Sequence, residues 1–81
     1  MFKVGDRIIV KRDFKCDCVN FYKGEIGTIL KITDWALIEW DKSNFSYHSG
    51  NGKGKENHCY WVYTDNLELY EDKVNNIRVW Y

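Results

Sequence analysis

A glycine-rich segment with two lysines is the first feature of the sequence that suggests chemistry. It reads SGNGKGK over residues 49–55, and its lysines are Lys53 and Lys55. Glycine lets successive backbone N–H groups turn toward an anion, and the ammonium groups add positive charge. The segment is not a Walker motif, because neither lysine precedes Ser or Thr and no helix pattern follows. It predicts either an anion-binding loop or a flexible loop with solvated lysines.

Thiol and imidazole side chains form a second group of candidate ligands. Cys16, Cys18, His58 and Cys59 would give zinc a Cys3His set if the first long loop folded against a later strand. The spacing is unfavourable, because C-x-C and an adjacent His-Cys pair differ from the C-x2-C pairs of zinc ribbons. We therefore expect no metal and no cofactor. An odd number of cysteines also favours reduced thiols in a cytosol over a disulfide.

Aromatic side chains are the third group and make up 17% of the chain. Exposed rings can stack on bases, hold a cation over the ring face or contact a protein. A chain of this size buries only roughly 60% of its unfolded surface, so at least one aromatic cluster should stay exposed. The predicted residues for ligand or partner binding, with the loop lysines included, are Trp35, Trp40, Tyr47, His48, Lys53, Lys55, Tyr60, Trp61 and Tyr63.

Catalysis is not expected. The stretch SYHS at residues 46–49 places serine near histidine, but no third group is placed to orient them. Cys16 or Cys18 could pair with His58 as an activated nucleophile only if distant segments of the chain met. The simpler interpretation is that these residues have no functional relation to one another. We predict that the chain is not an enzyme.

The elements that must position these side chains are β-strands. Short runs in which apolar and polar residues alternate, bounded by Gly, Asn and Asp, predict strands at residues 7–12, 25–32, 35–41, 58–63 and 67–70. Residues 13–24 have no regular pattern and predict a long loop, and residues 42–57 predict a second one. Gly27, inside a strand, indicates a bulge or a close backbone approach.

The strand at residues 58–63 leaves one question open. Tyr60 and Val62 point one way, whereas Cys59, Trp61 and Tyr63 point the other. One of these sets must belong to the core, and the other is then free to form a binding surface.

The order of these elements resembles a Src-homology-3-like barrel. The strings VGDRI and GEIGTILKI are similar to the first strands of KOW-type barrels, and WALIEWD, SYHSG, GKG and NLEL are similar to a Mind-bomb-type domain. The string HSGNGKGKENHCYWVYTDNLELYE is similar to small uncharacterised bacteriophage proteins. The resemblance covers residues 3–70 and implies an all-β, five- to six-stranded barrel. No ALYDY-like segment occurs, so polyproline ligands are not expected.

The domain organisation follows from this pattern. Residues 1–70 are predicted to form the barrel, and residues 71–81 a C-terminal extension. Val79, Trp80 and Tyr81 give the extension an apolar end, which would either cap the barrel or form an edge strand that pairs with another chain. Either a monomer or a homodimer agrees with this pattern.

Charge and hydropathy limit the functional classes. The formal net charge is zero, without the basic excess typical of proteins that grip nucleic-acid phosphates. No apolar run reaches membrane-spanning length and no signal peptide is evident, so a cytoplasmic location is expected, in the host cell if the protein is viral. The leading hypothesis is a phage-encoded module that recognises, and could inhibit, a host protein such as a defence enzyme. The alternative is binding of nucleic acid or a nucleotide through the Gly-Lys loop and the aromatic rings.

Overall fold

Short antiparallel strands are the main regular elements of the fold. The computed structural model describes residues 2–70. Its strands are β1 (Arg7–Val10), β2 (Phe14–Cys16), β3 (Val19–Phe21), β4 (Ile26–Ile32), β5 (Ala36–Trp40), β6 (Cys59–Val62) and β7 (Leu67–Leu69), and a 3-10 helix (Thr64–Asn66) precedes β7. The prediction of an all-β fold is confirmed. Within residues 2–70, no helix has the length and hydropathy needed to cross a lipid bilayer.

Five of the strands form one antiparallel sheet in the order β6-β5-β4-β1-β7. Each of the five strands predicted from the sequence corresponds to one of them, shortened by up to two residues at an end. The sheet ends at β6 and β7, which do not pair with each other in the described part of the chain. The predicted closed barrel is therefore replaced by an open sheet.

The segment predicted as a long irregular loop, residues 13–24, contains a hairpin of β2 and β3. Phe14 pairs with Phe21, and Cys16 pairs with Val19. Asp17 begins the two-residue turn with φ at 55°, a left-handed conformation that aspartate tolerates better than most residues. The strands are too short for their alternation to stand out in the sequence, which is why the pattern suggested a loop.

This hairpin covers one face of the sheet and completes the core. Phe21, which is fully buried, packs its ring against Trp40 with 5.1 Å between the ring centroids. The buried cluster draws on the hairpin and on every strand of the sheet, and includes Ile8, Val10, Cys16, Val19, Ile29, Ala36, Ile38, Val62 and Leu67. A second layer is thus supplied by only two short strands.

The glycine-rich loop covers the opposite face. Leu37 and Cys59 point away from the main core and are nevertheless buried. A Cβ atom at Gly50 would lie 2.8 Å from Leu37 Cδ2, and one at Gly54 would lie 2.6 Å from Cys59 Sγ. The loop reaches these side chains because glycine leaves room for its backbone, so it is part of the packing of the sheet.

The predicted C-terminal extension lies outside the described residues. This applies to residues 71–81 and to the proposed edge formed by Val79, Trp80 and Tyr81. Both remain predictions from the sequence.

Candidate functional site

A concave aromatic surface lies beside β6, at one edge of the sheet. It is a shallow depression, open to solvent, with a volume of about 500 Å³, and it is lined by Asp17, Thr33, Trp35, His48, Tyr60 and Trp61. We call this cavity the β6 pocket. Four of its six lining residues carry rings, so it can contact a flat or cationic group on several sides.

Three parts of the chain bring the rings of the β6 pocket together. Tyr60 and Trp61 are neighbours in β6. His48 is held beside this strand by two backbone hydrogen bonds: its N–H donates to Cys59 O at 2.8 Å, and its carbonyl oxygen accepts from the Cys59 N–H at 2.7 Å. Trp35 stands at the turn between β4 and β5, where its carbonyl accepts from the N–H of Thr33 at 2.8 Å.

The register of β6 answers the question that the sequence left open. Tyr60 lies opposite Ile38 and Trp61 lies opposite Leu37, so the two rings belong to different faces of the sheet. Val62 is fully buried in the main core, and Tyr60 packs at the margin of the same cluster. The β6 pocket therefore wraps around the edge of the strand and uses side chains from both faces.

A stacked pair of rings stands beside the pocket. The centroids of Trp35 and Tyr63 are 3.8 Å apart with an interplanar angle of 26°. Tyr63 is 52% exposed, so the ring that covers one face of Trp35 also meets solvent. Within the pocket, the ring centroids of His48 and Tyr60 are 5.7 Å apart.

The charge of the β6 pocket comes from Asp17 at the tip of the hairpin. The Tyr60 hydroxyl donates to Asp17 Oδ2 at 3.2 Å. Desolvation, followed by this hydrogen bond, raises the pKa of Tyr60, so the phenol stays protonated at neutral pH. The lining residues include one carboxylate and neither lysine nor arginine. The pocket is therefore suited to a cation and unsuited to an anion.

The structure gathers some of the predicted binding residues and adds others. It brings together Trp35, His48, Tyr60 and Trp61, and it places Tyr63 beside them. Sequence reasoning missed Asp17 and Thr33. No clear local signal marked Asp17, because the strands on either side of it have only three residues each.

Trp40 and Tyr47 do not reach the β6 pocket. Trp40 is 1% exposed and Tyr47 is 7% exposed, and both belong to the buried cluster around Phe21. The reason is that residue 40 lies on the sheet face that the hairpin covers. These two rings line a different cavity.

The Gly-Lys loop uses its backbone donors inside the protein. Within this loop the amide N–H groups with acceptors in the described chain are those of Gly50, Gly52, Lys53, Gly54 and Lys55. The Lys55 N–H donates to Glu39 Oε2 at 2.8 Å, so a carboxylate already lies against the loop. The predicted anion site gains no support from this geometry, because both the donors and their surroundings are occupied.

The candidate zinc ligands point to separate partners. Among residues 2–70 no group of three or more His, Cys, Asp or Glu side chains has an arrangement that could hold a metal ion. His58 Nδ1 lies 2.7 Å from Trp40 O, Cys16 Sγ contacts Trp61 O, and Cys59 Sγ contacts Lys55 O.

The three thiols should react at very different rates. Burial raises the pKa of Cys16 and of Cys59, whereas Cys18 is exposed. Because the thiolate is the reactive form, we expect a disulfide reagent at pH 7 to modify Cys18 rapidly and the other two only after unfolding. Mass spectrometry of the native and denatured protein checks this. A Cys18→Ser variant that still reacts rapidly would contradict it.

No protein-family model, curated protein or solved structure matches the chain. The resemblance to Src-homology-3-like barrels and to phage proteins therefore stays a prediction. The fold and the site define a small all-β domain with an aromatic, acidic pocket at the edge of its sheet.

Proposed function

We propose that this chain is a non-enzymatic module that binds a protein partner, and that the β6 pocket takes an arginine side chain of that partner. The observation that supports the proposal is a pocket lined by four ring-bearing side chains and one carboxylate, with neither lysine nor arginine among its lining residues. Aromatic faces attract cations through the ring quadrupole, and a nearby carboxylate adds a direct ionic contact.

Arginine fits this arrangement better than lysine. The guanidinium group is planar, so it stacks on indole and phenol rings while its edge donates to a carboxylate. Asp17 accepts one hydrogen bond from Tyr60, and a carboxylate has capacity for several more. A lysine ammonium group is compact and strongly hydrated, and would use the flat walls of the pocket less fully.

Binding of nucleic acid or a nucleotide is less well supported. A phosphate near the pocket would meet the carboxylate of Asp17, and neither Lys53 nor Lys55 lines the cavity. A base could stack on Trp61 whatever its identity, but the pocket lacks the positively charged groove with which single-strand binders hold the nucleic-acid backbone.

Three further predictions from the sequence, on origin, location and target, are compatible with this function. A phage origin, a cytoplasmic location and inhibition of a host defence enzyme would each give a reason for a small module that binds another protein. They stay predictions, and the pocket does not depend on them.

Selection from a randomised peptide library tests the proposal. We expect recovered peptides to share an arginine, and replacement of that arginine by citrulline, its neutral isostere, to weaken binding about tenfold. Trp61→Ala should weaken binding by about fivefold through loss of one ring face. Asp17→Asn should cost about two- to fivefold, since exposed ion pairs contribute little.

Matched variants outside the pocket serve as controls. Phe45 is a fully exposed ring and Asp65 an exposed carboxylate, and neither lines the pocket. Phe45→Ala and Asp65→Asn should bind the selected peptides like the unmodified protein. Equal binding of arginine and citrulline peptides would contradict the proposal. Steeply salt-dependent binding of single-stranded DNA, lost in Trp61→Ala, would favour the alternative.

A further inference from the structure

The two histidines of the chain are held in opposite tautomers by the backbone around them. The N–H of Gly50 donates to His48 Nδ1 at 2.8 Å, so this nitrogen has no proton and the neutral ring carries its proton on Nε2. His58 Nδ1 lies 2.7 Å from Trp40 O, and a carbonyl oxygen only accepts, so here the proton lies on Nδ1. The two rings must therefore respond differently to acid.

A second proton on His48 breaks the bond between its ring and the Gly-Lys loop. An imidazolium has N–H groups at both ring nitrogens, so His48 Nδ1 would no longer accept from Gly50. The Gly50 backbone is held on its other sides, because its carbonyl accepts from the Lys53 N–H at 3.3 Å and it lies against the Leu37 side chain. Protonation of His58 has no such effect, since its Nδ1–H is already the donor.

The same proton changes the charge of the β6 pocket. His48 lines this pocket, and its ring centroid is 5.7 Å from that of Tyr60. With a neutral imidazole, the formal charge of the lining residues is that of the Asp17 carboxylate. Protonation of His48 brings this sum to zero and places a positive charge beside any bound cation, which weakens cation binding.

No other side chain around His48 is expected to change the pocket charge in mildly acidic solution. The neighbouring side chains are those of Asp17 from the hairpin tip, Tyr60 and Cys59 from β6, and Thr33 and Trp35 from the turn between β4 and β5. Desolvation raises the pKa of Tyr60 and that of Cys59, so both stay neutral. Residues 49–52 of the loop have no ionisable side chain. Imidazole is the side chain that ordinarily changes its charge between about pH 5 and 8.

We propose that His48 couples the Gly-Lys loop to the β6 pocket: the neutral ring holds the loop and admits a cation, and the protonated ring releases Gly50 and repels arginine. The part of this proposal that concerns arginine rests on the proposed function, whereas the part that concerns the loop applies to the free protein. Protons oppose the binding of arginine, so affinity is greatest where His48 is neutral and falls as the pH is lowered.

Long-range nitrogen–proton spectra of the free, isotope-labelled protein test the coupling to the loop. We expect the proton of His48 on Nε2 and that of His58 on Nδ1 at pH 7. Between pH 7 and 5 the Gly50 amide signal should move in step with the His48 ring signals. His48→Asn places an amide oxygen where Nδ1 accepts and cannot be protonated, so the Gly50 signal should then no longer depend on pH.

Titration with N-acetyl-arginine methylamide and its citrulline counterpart tests the effect on the pocket. The range stops at pH 7, where an ordinary thiol such as that of the exposed Cys18 is protonated. Affinity for the arginine compound should fall at least about threefold between pH 7 and 5, and that for citrulline should not. His48→Asn should remove this fall. His58→Asn keeps a donor for Trp40 O and should retain it.

The two measurements fail in different ways. Absence of arginine binding at pH 7 would contradict the proposed function, and the spectra of the free protein would still decide the role of His48. A proton on His48 Nδ1 at pH 7, a His48 ring that stays neutral at pH 5, or a Gly50 signal that does not follow the ring would overturn the coupling to the loop. An equal fall of arginine affinity in His48→Asn would overturn the effect on the pocket.

Discussion

Replacement of Phe21 by alanine is expected to lower the free energy of unfolding by about 3–5 kcal/mol. Phe21 is fully buried and its ring contacts four others, those of Phe14, Trp40, Tyr47 and Tyr60, at centroid distances of 4.9–5.8 Å. Truncation leaves a cavity between the hairpin and the sheet, and the few side chains around it cannot move far enough to fill it. Because small domains have a total stability of only about 5–15 kcal/mol, the variant should lose a large share of its stability.

Urea unfolding followed by circular dichroism measures this loss without depending on the tryptophan signal. Phe45→Ala is the matched control, because Phe45 is 100% exposed and its loss should change stability by less than about 0.5 kcal/mol. Phe21→Leu keeps most of the volume and should cost about 1–2 kcal/mol. If Phe21→Ala were as stable as the control, the hairpin would not pack on the sheet, and Asp17 would not be held at the β6 pocket.

Replacement of Gly27 by alanine should also be strongly destabilising. A Cβ atom at this position would lie 2.5 Å from Ile38 Cγ2 and 2.9 Å from the backbone oxygen of Glu39. The carbonyl belongs to the paired strand β5 and cannot move without breaking the ladder, so the two strands must separate. Overpacking of this kind costs about 1–3 kcal/mol, and we expect the upper end of that range.

The control for Gly27 is a glycine with open space around it. No atom lies within 4 Å of a Cβ at Gly52, where only the positive φ of 85° opposes alanine. Gly52→Ala should cost about 1 kcal/mol, which separates backbone strain from steric overlap. Ile38→Leu removes the methyl branch at the contact and should partly rescue Gly27→Ala in a double-mutant cycle. An equal loss at both glycines would contradict the close approach of β4 and β5.

Four strands of the main sheet could be predicted because each has at least four residues, enough to show its alternation or its apolar run. The fifth, β7, has only three residues, but the turn residues Thr64–Asn66 mark its start. Along β5, Ala36, Ile38 and Trp40 share the face that packs in the main core, as the period of two residues in a strand requires. The indication that Gly27 marks a close backbone approach is confirmed by its distance to β5. The alternation of apolar and polar residues in a strand involves only neighbouring residues, so it can be recognised in a single sequence.

The tertiary layers could not be predicted in the same way. Whether Trp40 or Trp61 faces solvent depends on which face the hairpin covers, and the hairpin strands have only three residues each. The glycine-rich loop suggested anion binding because its composition is the same whether its amides face a ligand or its own protein. The acceptors of the loop amides separate these cases, and one of them, the Glu39 carboxylate that accepts from the Lys55 N–H, is sixteen residues away in sequence.

The most direct test of the central claim is a magnetic resonance titration of the isotope-labelled protein with two blocked peptides that differ only in arginine or citrulline. The account predicts that the arginine peptide shifts the indole N–H signals of Trp35 and Trp61 and leaves that of Trp40 unchanged. The citrulline peptide should have little effect, and Asp17→Asn should reduce the response to arginine. Equal shifts with both peptides, or shifts confined to the amides of residues 49–55, would contradict it.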